Sequence, residues 1–471
     1  MKPIQNIKSI AVLLLILITT YCCSDEDNQI PTVPFVVAFE TLSTNLTSFD
    51  SQNNVLLSYS KPTNQVGTIS ISISETNAIY GVDYTTTPAA VNNELILDIS
   101  ENESQNSFIF KKLNPTIDED TSIQFEITDI GYANGKVQGN SAFEFNSSAS
   151  LGGSLKPNTG GPNQQDQIFV DLSNNKLTAS KRDSWDLGFS NGDSFRVTLN
   201  GSIYMFAAAL STTDIDTVTD SNSQISELQP MMTIGQVGSN IYADDPTGDL
   251  NKTSITEIST INENNPVYLI NMGYAVGTDT PETGSVNISG DPRGWKKIRI
   301  LRDGNTYTLQ YANLNDTAHQ EVTITKNASY NFTFFSMVNN NIVNVQPERQ
   351  KWDLGFTVFT NVISFDGPSG AYGFSDFIIT NRPDNVKSYS FDATTLDYDE
   401  FSLSDVDYSS LNIEQNSIGS TWRNVFSGAV TPDIFYILKD ADDNIYKIKF
   451  LALTDDFGIR GYPEFEYELL Q

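Results

Sequence analysis

The sequence predicts a mainly β protein in which an N-terminal β-sandwich is followed by two tandem β-rich domains. Three observations predict it. Short runs alternate apolar and polar residues with a period of two, as in Thr68–Ser74, Val322–Ile324, Asn331–Phe335 and Lys447–Leu453, which is how a strand turns one face to a core. Turn-forming clusters such as Asp303-Gly304-Asn305 and Asp440–Asn444 recur between the runs, whereas Ser402–Gln415 and Thr213–Leu228 show no sustained helical stripe. The pentapeptide Trp-Asp-Leu-Gly-Phe occurs at Trp185–Phe189 and again at Trp352–Phe356, 167 residues apart in a chain with four tryptophans. Solenoid repeats are about 20–50 residues long, so a repeat of this length marks a duplicated domain.

Residues 1–22 read as a secretory signal. Lys2 and Lys8 precede the apolar run Ile10–Ile18, and Thr19-Thr20-Tyr21-Cys22-Cys23 follows it, a stretch too short to span a bilayer as a stable helix. A cysteine placed directly after the greasy core resembles the lipoprotein signal of bacteria. That resemblance implies lipidation at Cys23, with Cys22 as the small residue before the cut; bulky Tyr21 argues against Cys22 as the acceptor. Residues 23–33 form an acidic tether opening with Ser24-Asp25-Glu26-Asp27, similar to surface lipoproteins of Bacteroidetes-type bacteria. The implied location is the outer membrane, lipid-anchored and facing the cell surface.

Cys22 and Cys23 are the two cysteines of the chain, so the body beyond the tether is predicted to hold no disulfide and no thiolate site. With 58 acidic against 27 basic side chains, the formal charge is −31. Such a surface repels nucleic acid and anionic lipid.

Residues 34–146 carry short strands spaced as in a β-sandwich. Thr68–Ser74 is followed by Gly81-Val82-Asp83-Tyr84-Thr85, then Glu94–Ile99, Ser107–Lys111 and Ser122–Ile127. This order resembles a Calx-β domain, with a Gly-x-Asp-Tyr element between strands. The resemblance implies a calcium site, for which Asp83, Asp118 and Asp120 supply hard oxygen ligands. Residues 147–166, rich in Gly, Ser, Pro and Asn, read as a flexible linker.

The duplication extends beyond its tag, giving one copy at 167–316 and another at 317–471. Ile168–Leu177 and Asn331–Ile342 each read as strand, Asn-rich turn and return strand. A charged approach, Lys181-Arg182-Asp183 or Glu348-Arg349-Gln350-Lys351, leads into each pentapeptide. Distally, Lys297-Ile298-Arg299-Ile300 matches Lys447-Ile448-Lys449-Phe450, and Tyr307–Tyr311 matches Pro463–Tyr467. Within the pentapeptide, Trp185, Leu187 and Phe189 alternate with Asp186 and Gly188, the pattern of a core strand. Gly188 and Gly355 fit a close backbone approach, and Asp186 and Asp353 are placed to accept from an indole or backbone N–H.

A hairpin leading into Trp-Asp-Leu-Gly-Phe, a variable middle and a closing Lys-Ile-Lys-Phe strand together resemble the HmuY family. That resemblance implies a surface-anchored, β-rich, haem-binding lipoprotein that passes haem from a haemoprotein or solution to an outer-membrane haem receptor. Haem iron needs a His, Met, Cys or Tyr donor. One histidine, His319, is present, so the bis-histidine ligation of the family's type member cannot be built, and His319 falls at the junction of the copies. Methionines remain: Met205, Met231, Met232 and Met272 follow the first pentapeptide and none follows the second. Met231-Met232, after Pro230 and before a glycine-bearing stretch, is the predicted iron-binding pair. Tyr372, Tyr389, Tyr398 and Tyr408 are the second copy's harder alternative. No phosphate loop, His-Glu-x-x-His or Cys/His metal spacing occurs, so no enzyme is predicted. The competing expectation is a non-catalytic protein- or glycan-binding surface lipoprotein without haem ligation.

Overall fold

The computed structural model describes residues 33–114, 121–364 and 366–470; Cys23, Asp118 and Asp120 lie outside the described residues. The alternation that predicts strands is realised throughout, and among the described residues no helix is long and apolar enough to cross a membrane.

The first domain is a sandwich of two five-stranded sheets. One runs Tyr84–Thr87, Gln105–Lys112, Gln52–Tyr59, Phe35–Phe39, Gly135–Val137; the other runs Ser43–Asn45, Ala142–Asn146, Ser122–Gly131, Gly67–Thr76, Glu94–Ile99. Ile69, Ile71 and Ile73 point between the sheets, into a core with Phe35, Phe108, Phe110 and Phe125. The Gly-x-Asp-Tyr element has a folding role: Gly81 takes φ +80° at the turn, and Asp83 Oδ2 accepts from the Ile79 N–H at 2.9 Å. Tyr84 is buried and stacks on Phe110 at 5.0 Å.

The duplicated region contains two five-stranded sheets. One runs Phe206–Ala209, Val267–Asn271, Trp295–Asp303, Thr306–Asn313, Gln320–Thr325; the other runs Gly152–Leu155, Arg460–Leu469, Ile445–Thr454, Ile434–Lys439, Lys387–Asp392. Two four-stranded sheets hold the pentapeptides. In the first, the hairpin Asp166–Asp171/Lys176–Lys181 lies beside Leu354–Ser364 and Ser369–Thr380; in the second, the hairpin Phe332–Ser336/Asn341–Val343 lies beside Leu187–Ser190 and Val197–Leu199.

The copies therefore exchange their opening hairpins. Leu187 and Gly188 of the first pentapeptide pair with Phe335 and Phe334, while Leu354 and Gly355 of the second pair with Val170 and Phe169. The leading strands are exchanged too: Gln320–Thr325 pairs with Thr306–Asn313, and Gly152–Leu155 pairs with Arg460–Leu469. One structural unit is thus the contiguous stretch 187–343, and the other is closed by 152–181 and 354–469 from the two ends of the duplicated region. Two separate cores follow the same division, with Phe335 and Met337 buried beside Leu187 and Ile298, and Ile168 and Val170 buried beside Leu354 and Ile448.

The expected flexible linker is ordered where it carries Gly152–Leu155. Its glycines serve close approach: a Cβ on Gly152 would fall 2.2 Å from the Tyr467 carbonyl oxygen, and one on Gly153 would fall 2.7 Å from Thr41 Cα. The same segment bonds to the sandwich, through Leu42 N to Gly152 O at 2.8 Å and Leu151 N to Ser43 Oγ at 2.6 Å.

Candidate functional site

The pentapeptides meet along the seam between the two units. Each aspartate is buried and ties the exchanged hairpin to its strand. Asp186 Oδ2 accepts from Met337 N at 2.6 Å, and Asp353 Oδ2 accepts from Leu172 N at 2.8 Å. The Asp186 carboxylate also pairs with Arg293 at 2.7 Å. Asp353 has no such cation among the described residues, and burial beside Asp171 and Asp440 raises its pKa well above the ordinary range. The expected common face of Trp, Leu and Phe is split. Leu187 and Phe189 enter one core and Leu354 and Phe356 the other, whereas Trp185 and Trp352 turn into a shared seam cluster with Phe169, Phe334 and Phe377. The chain bends before each strand begins, at Leu187 and Leu354, so strand periodicity does not reach back to the tryptophan.

This packing leaves a cavity of about 130 Å³ lined by both tryptophans, with Phe334, Phe359, Met205 and Thr380. Trp185 donates Nε1–H to Gln167 Oε1 at 3.1 Å. By contrast, the Trp352 Nε1 and Thr380 Oγ1 atoms are buried without a protein partner. Asp244, Asp245 and Asp249 stand on the loop side of the cavity. Burial raises the Asp244 carboxyl to about 6, against the pull of N–H groups from Leu199 and Ser254. Arg182, predicted as part of a charged approach, is 1 % exposed and spends its guanidinium on the carbonyls of Gln164, Ser202 and Ile288. Burial lowers its pKa to about 10. Sequence reasoning named the tryptophans as core and missed that both face one cavity; the signal was there, in the doubling of a rare residue.

The predicted iron donors lie elsewhere, after the helix Ser223–Leu228. Met232 is fully buried among Tyr204, Phe206, Leu269 and Val358, so its sulfur reaches no external ligand unless that core opens. The expected donor pair thereby reduces to Met231, which is half-buried and whose Cε lies 3.7 Å from a Cβ position on Gly238. The loop that follows is pinned to the other copy: Gly235 N and Gly238 N donate to Ala371 O and Ser369 O, both at 2.8 Å. Val237, Ile241 and Tyr372 on this loop and strand are 39 %, 68 % and 44 % exposed.

The remaining expected residues sit apart from the cavity or in other roles, Tyr408 among them at 58 % exposed. Met205 and Met272 are buried in the first unit's core. His319 pairs with Asp216 at 2.9 Å. Tyr398 is buried with its hydroxyl on Lys447 O at 3.3 Å, while Tyr389 donates nothing to a site but accepts from Asp407 N at 3.0 Å. Asp83 has both carboxylate oxygens in use, on Ile79 N and Asn114 Nδ2. No group of three or more His, Cys, Asp or Glu able to hold a metal ion occurs among the described residues.

A tetrapyrrole does not fit the seam cavity. Sites for drug-sized ligands run to about 300–1,000 Å³, and a cavity of roughly 150 Å³ takes a single benzene ring. Met231 lies outside that cavity and is half-buried.

Comparison with known proteins agrees with the doubled architecture. The family model described as HmuY protein matches residues 163–327 and again 328–467. The first domain is similar to a solved structure described as the crystal structure of the apo-form Calx CBD1 domain, at 9 % identity and a TM-score of 0.20, over 24 % of this chain and 97 % of that one. No curated protein matches significantly. The matched segments span well over half of the chain, and the protein belongs to the HmuY family.

Proposed function

We propose that this protein is a lipid-anchored, non-catalytic surface protein that binds haem or a related tetrapyrrole on the open face of its first variable middle and hands it to an outer-membrane receptor. The observation that carries this reading is family membership over both copies together with one half-buried methionine, Met231, set on a loop with exposed apolar neighbours. A thioether is a soft donor that ligates haem iron. A single such donor, on a protein of formal charge −31 facing the propionates of haem, favours loose holding over storage, which suits transfer.

Haemin titration of the chain from Ser24 to Gln471 tests the reading. The Soret band should shift, in the ferrous state above all, and Met231→Ala should abolish the shift. Met232→Ala should leave the shift in place while costing about 2–5 kcal/mol of stability, as for a truncated core methionine. No spectral change in either iron redox state sinks the proposal. The anchor is tested separately: Cys23→Ser should release the protein from the membrane fraction, and continued anchoring refutes lipidation at that residue.

A second reading, a protein- or glycan-binding surface without haem, is favoured by Phe426 and Phe457, 99 % and 82 % exposed on turns of the second unit. Loss of partner capture by cells on substituting both with Ser, with haem spectra unchanged, would select it.

A further inference from the structure

We propose that the seam cavity is a binding site for a small, neutral, single-ring aromatic molecule bearing a hydroxyl. The proposal is independent of haem binding and involves a different place in the fold.

Size sets the first limit. At about 130 Å³ the cavity is close to the roughly 150 Å³ that admits one benzene ring. The walls set the second. Trp185, Trp352, Phe332, Phe334 and Phe359 supply aromatic faces and edges on several sides, and aromatic rings pack on one another in offset or edge-to-face pairs. Polar chemistry sets the third. Trp352 and Thr380 are 2 % and 1 % exposed, and Trp352 Nε1 and Thr380 Oγ1 find no protein partner. Buried polar atoms are nearly always hydrogen-bonded, and each orphan is a cost that a ligand can remove. The indole N–H needs an acceptor, and the threonine hydroxyl can take or give a proton. A ligand hydroxyl can answer either of them, because it accepts and donates through one atom.

Charge sets the last limit. Asp244, Asp245 and Asp249 line the loop side of the cavity. Asp244 is already committed to Leu199 N and Ser254 N, and Asp245 to Thr247 N and Oγ1. No Lys or Arg lines the cavity, so an anionic ligand meets no cation there, and the aspartates' charge disfavours a carboxylate on the ring. The site exists only because two copies interlock: Phe332 and Phe334 come from the second hairpin, Trp185 and Leu199 from the first copy, Trp352 and Thr380 from the second.

The test uses the chain from Ser24 to Gln471 labelled with ¹⁵N-tryptophan, which reports one indole N–H signal from each of Trp185, Trp295, Trp352 and Trp422. Trp352→Phe assigns the signal of interest. Millimolar benzyl alcohol should move the Trp352 signal and, to a lesser degree, that of Trp185. The Trp422 signal, whose N–H is held by Asp376 O at 3.1 Å, should stay still and so report that the fold is intact. Benzoate should move none of them. Ala243→Leu, which fills the cavity from its lining, and Thr380→Val, which removes the hydroxyl with little change of shape, should each reduce the benzyl alcohol response several-fold. The proposal is overturned if benzyl alcohol leaves the Trp352 signal in place in the wild-type chain, if benzoate moves it equally, or if the Ala243→Leu protein with an unmoved Trp422 signal responds as wild type does.

Discussion

Gly188→Ala probes the exchange of hairpins through a single methyl group. A Cβ at Gly188 would lie 2.7 Å from Thr198 Oγ1 and 3.1 Å from Phe334 Cε1. Thr198 can rotate away, giving up its hydrogen bond to Gly188 O at 3.2 Å, a loss of about 1 kcal/mol. Phe334 cannot: it is 4 % exposed and packs edge-on against Trp185 at 4.7 Å. Overpacking of this kind costs about 1–3 kcal/mol, offset by the roughly 0.5–1 kcal/mol that alanine recovers over glycine inside a strand. A net destabilisation of about 1–3 kcal/mol follows. Its decisive property is its partner. In a Phe334→Leu background the alanine penalty should shrink by about 0.5–2 kcal/mol, the coupling of residues in contact. In a Phe169→Leu background it should not change, because Phe169 lies against Gly355. Urea unfolding followed by tryptophan fluorescence reads this directly, since all four tryptophans lie in the duplicated region. Coupling of residue 188 to Phe169 in place of Phe334 would refute the exchanged arrangement.

Further outcomes follow from other parts of the molecule. The fragment 184–345, which holds one whole unit, should fold with a cooperative thermal transition by circular dichroism, whereas 167–316, cut at the sequence repeat, should not; the reverse would show that the copies fold as written in sequence. Trp185→Phe should cost about 1 kcal/mol more than Trp352→Phe in chemical denaturation, because it alone breaks an indole hydrogen bond; equal costs would contradict the unpartnered state of Trp352. Asp244, with its folded pKa raised to about 6 from 3.8, keeps a proton in the native state that the unfolded chain releases. Its contribution is therefore fully present below pH about 4 and is lost as pH rises to about 6, by up to ~3 kcal/mol at 1.36 kcal/mol per unit. Asp244→Asn should flatten the stability profile in that window; an unchanged slope would count against the raised pKa of this carboxyl. Lys447→Met should destabilise by about 1–3 kcal/mol, since this buried ammonium serves the carbonyls of Tyr398 and Phe401 and pairs with Glu468.

Much of the fold is readable from the chain because the signals are local. The strand Gly67–Thr76 announces itself by alternation, Gly81 and Asp83 by turn chemistry, and the duplication by Trp-Asp-Leu-Gly-Phe. Hairpin exchange is not local. Phe169-Val170 and Phe334-Phe335 occupy equivalent register positions against Gly355-Leu354 and Gly188-Leu187. Either hairpin offers apolar residues and the backbone groups that either pentapeptide needs, so residue type does not select the partner. Gly152-Gly153 misled for a different reason. Glycine marks both flexible linkers and places where another backbone comes close, and composition does not separate the two. The candidate site shows the same limit: Met231 and Met232 are neighbours in sequence, and only packing separates an open thioether from a core one.

Cysteine pairing tests the central claim, that each copy is completed by the other's hairpin. Both native cysteines, Cys22 and Cys23, precede the folded body, so introduced thiols in the chain from Ser24 are free of competition. Ser190 pairs across the sheet with Phe332, and adjacent-strand Cα atoms fall within disulfide reach. Gln167, the equivalent position of the first hairpin, faces Thr357 instead, with its amide on that hydroxyl at 3.0 Å. Ser190→Cys with Phe332→Cys should oxidise to an intramolecular disulfide under native conditions, and Ser190→Cys with Gln167→Cys should remain reduced. A bridge between 190 and 167, with none between 190 and 332, would contradict the account.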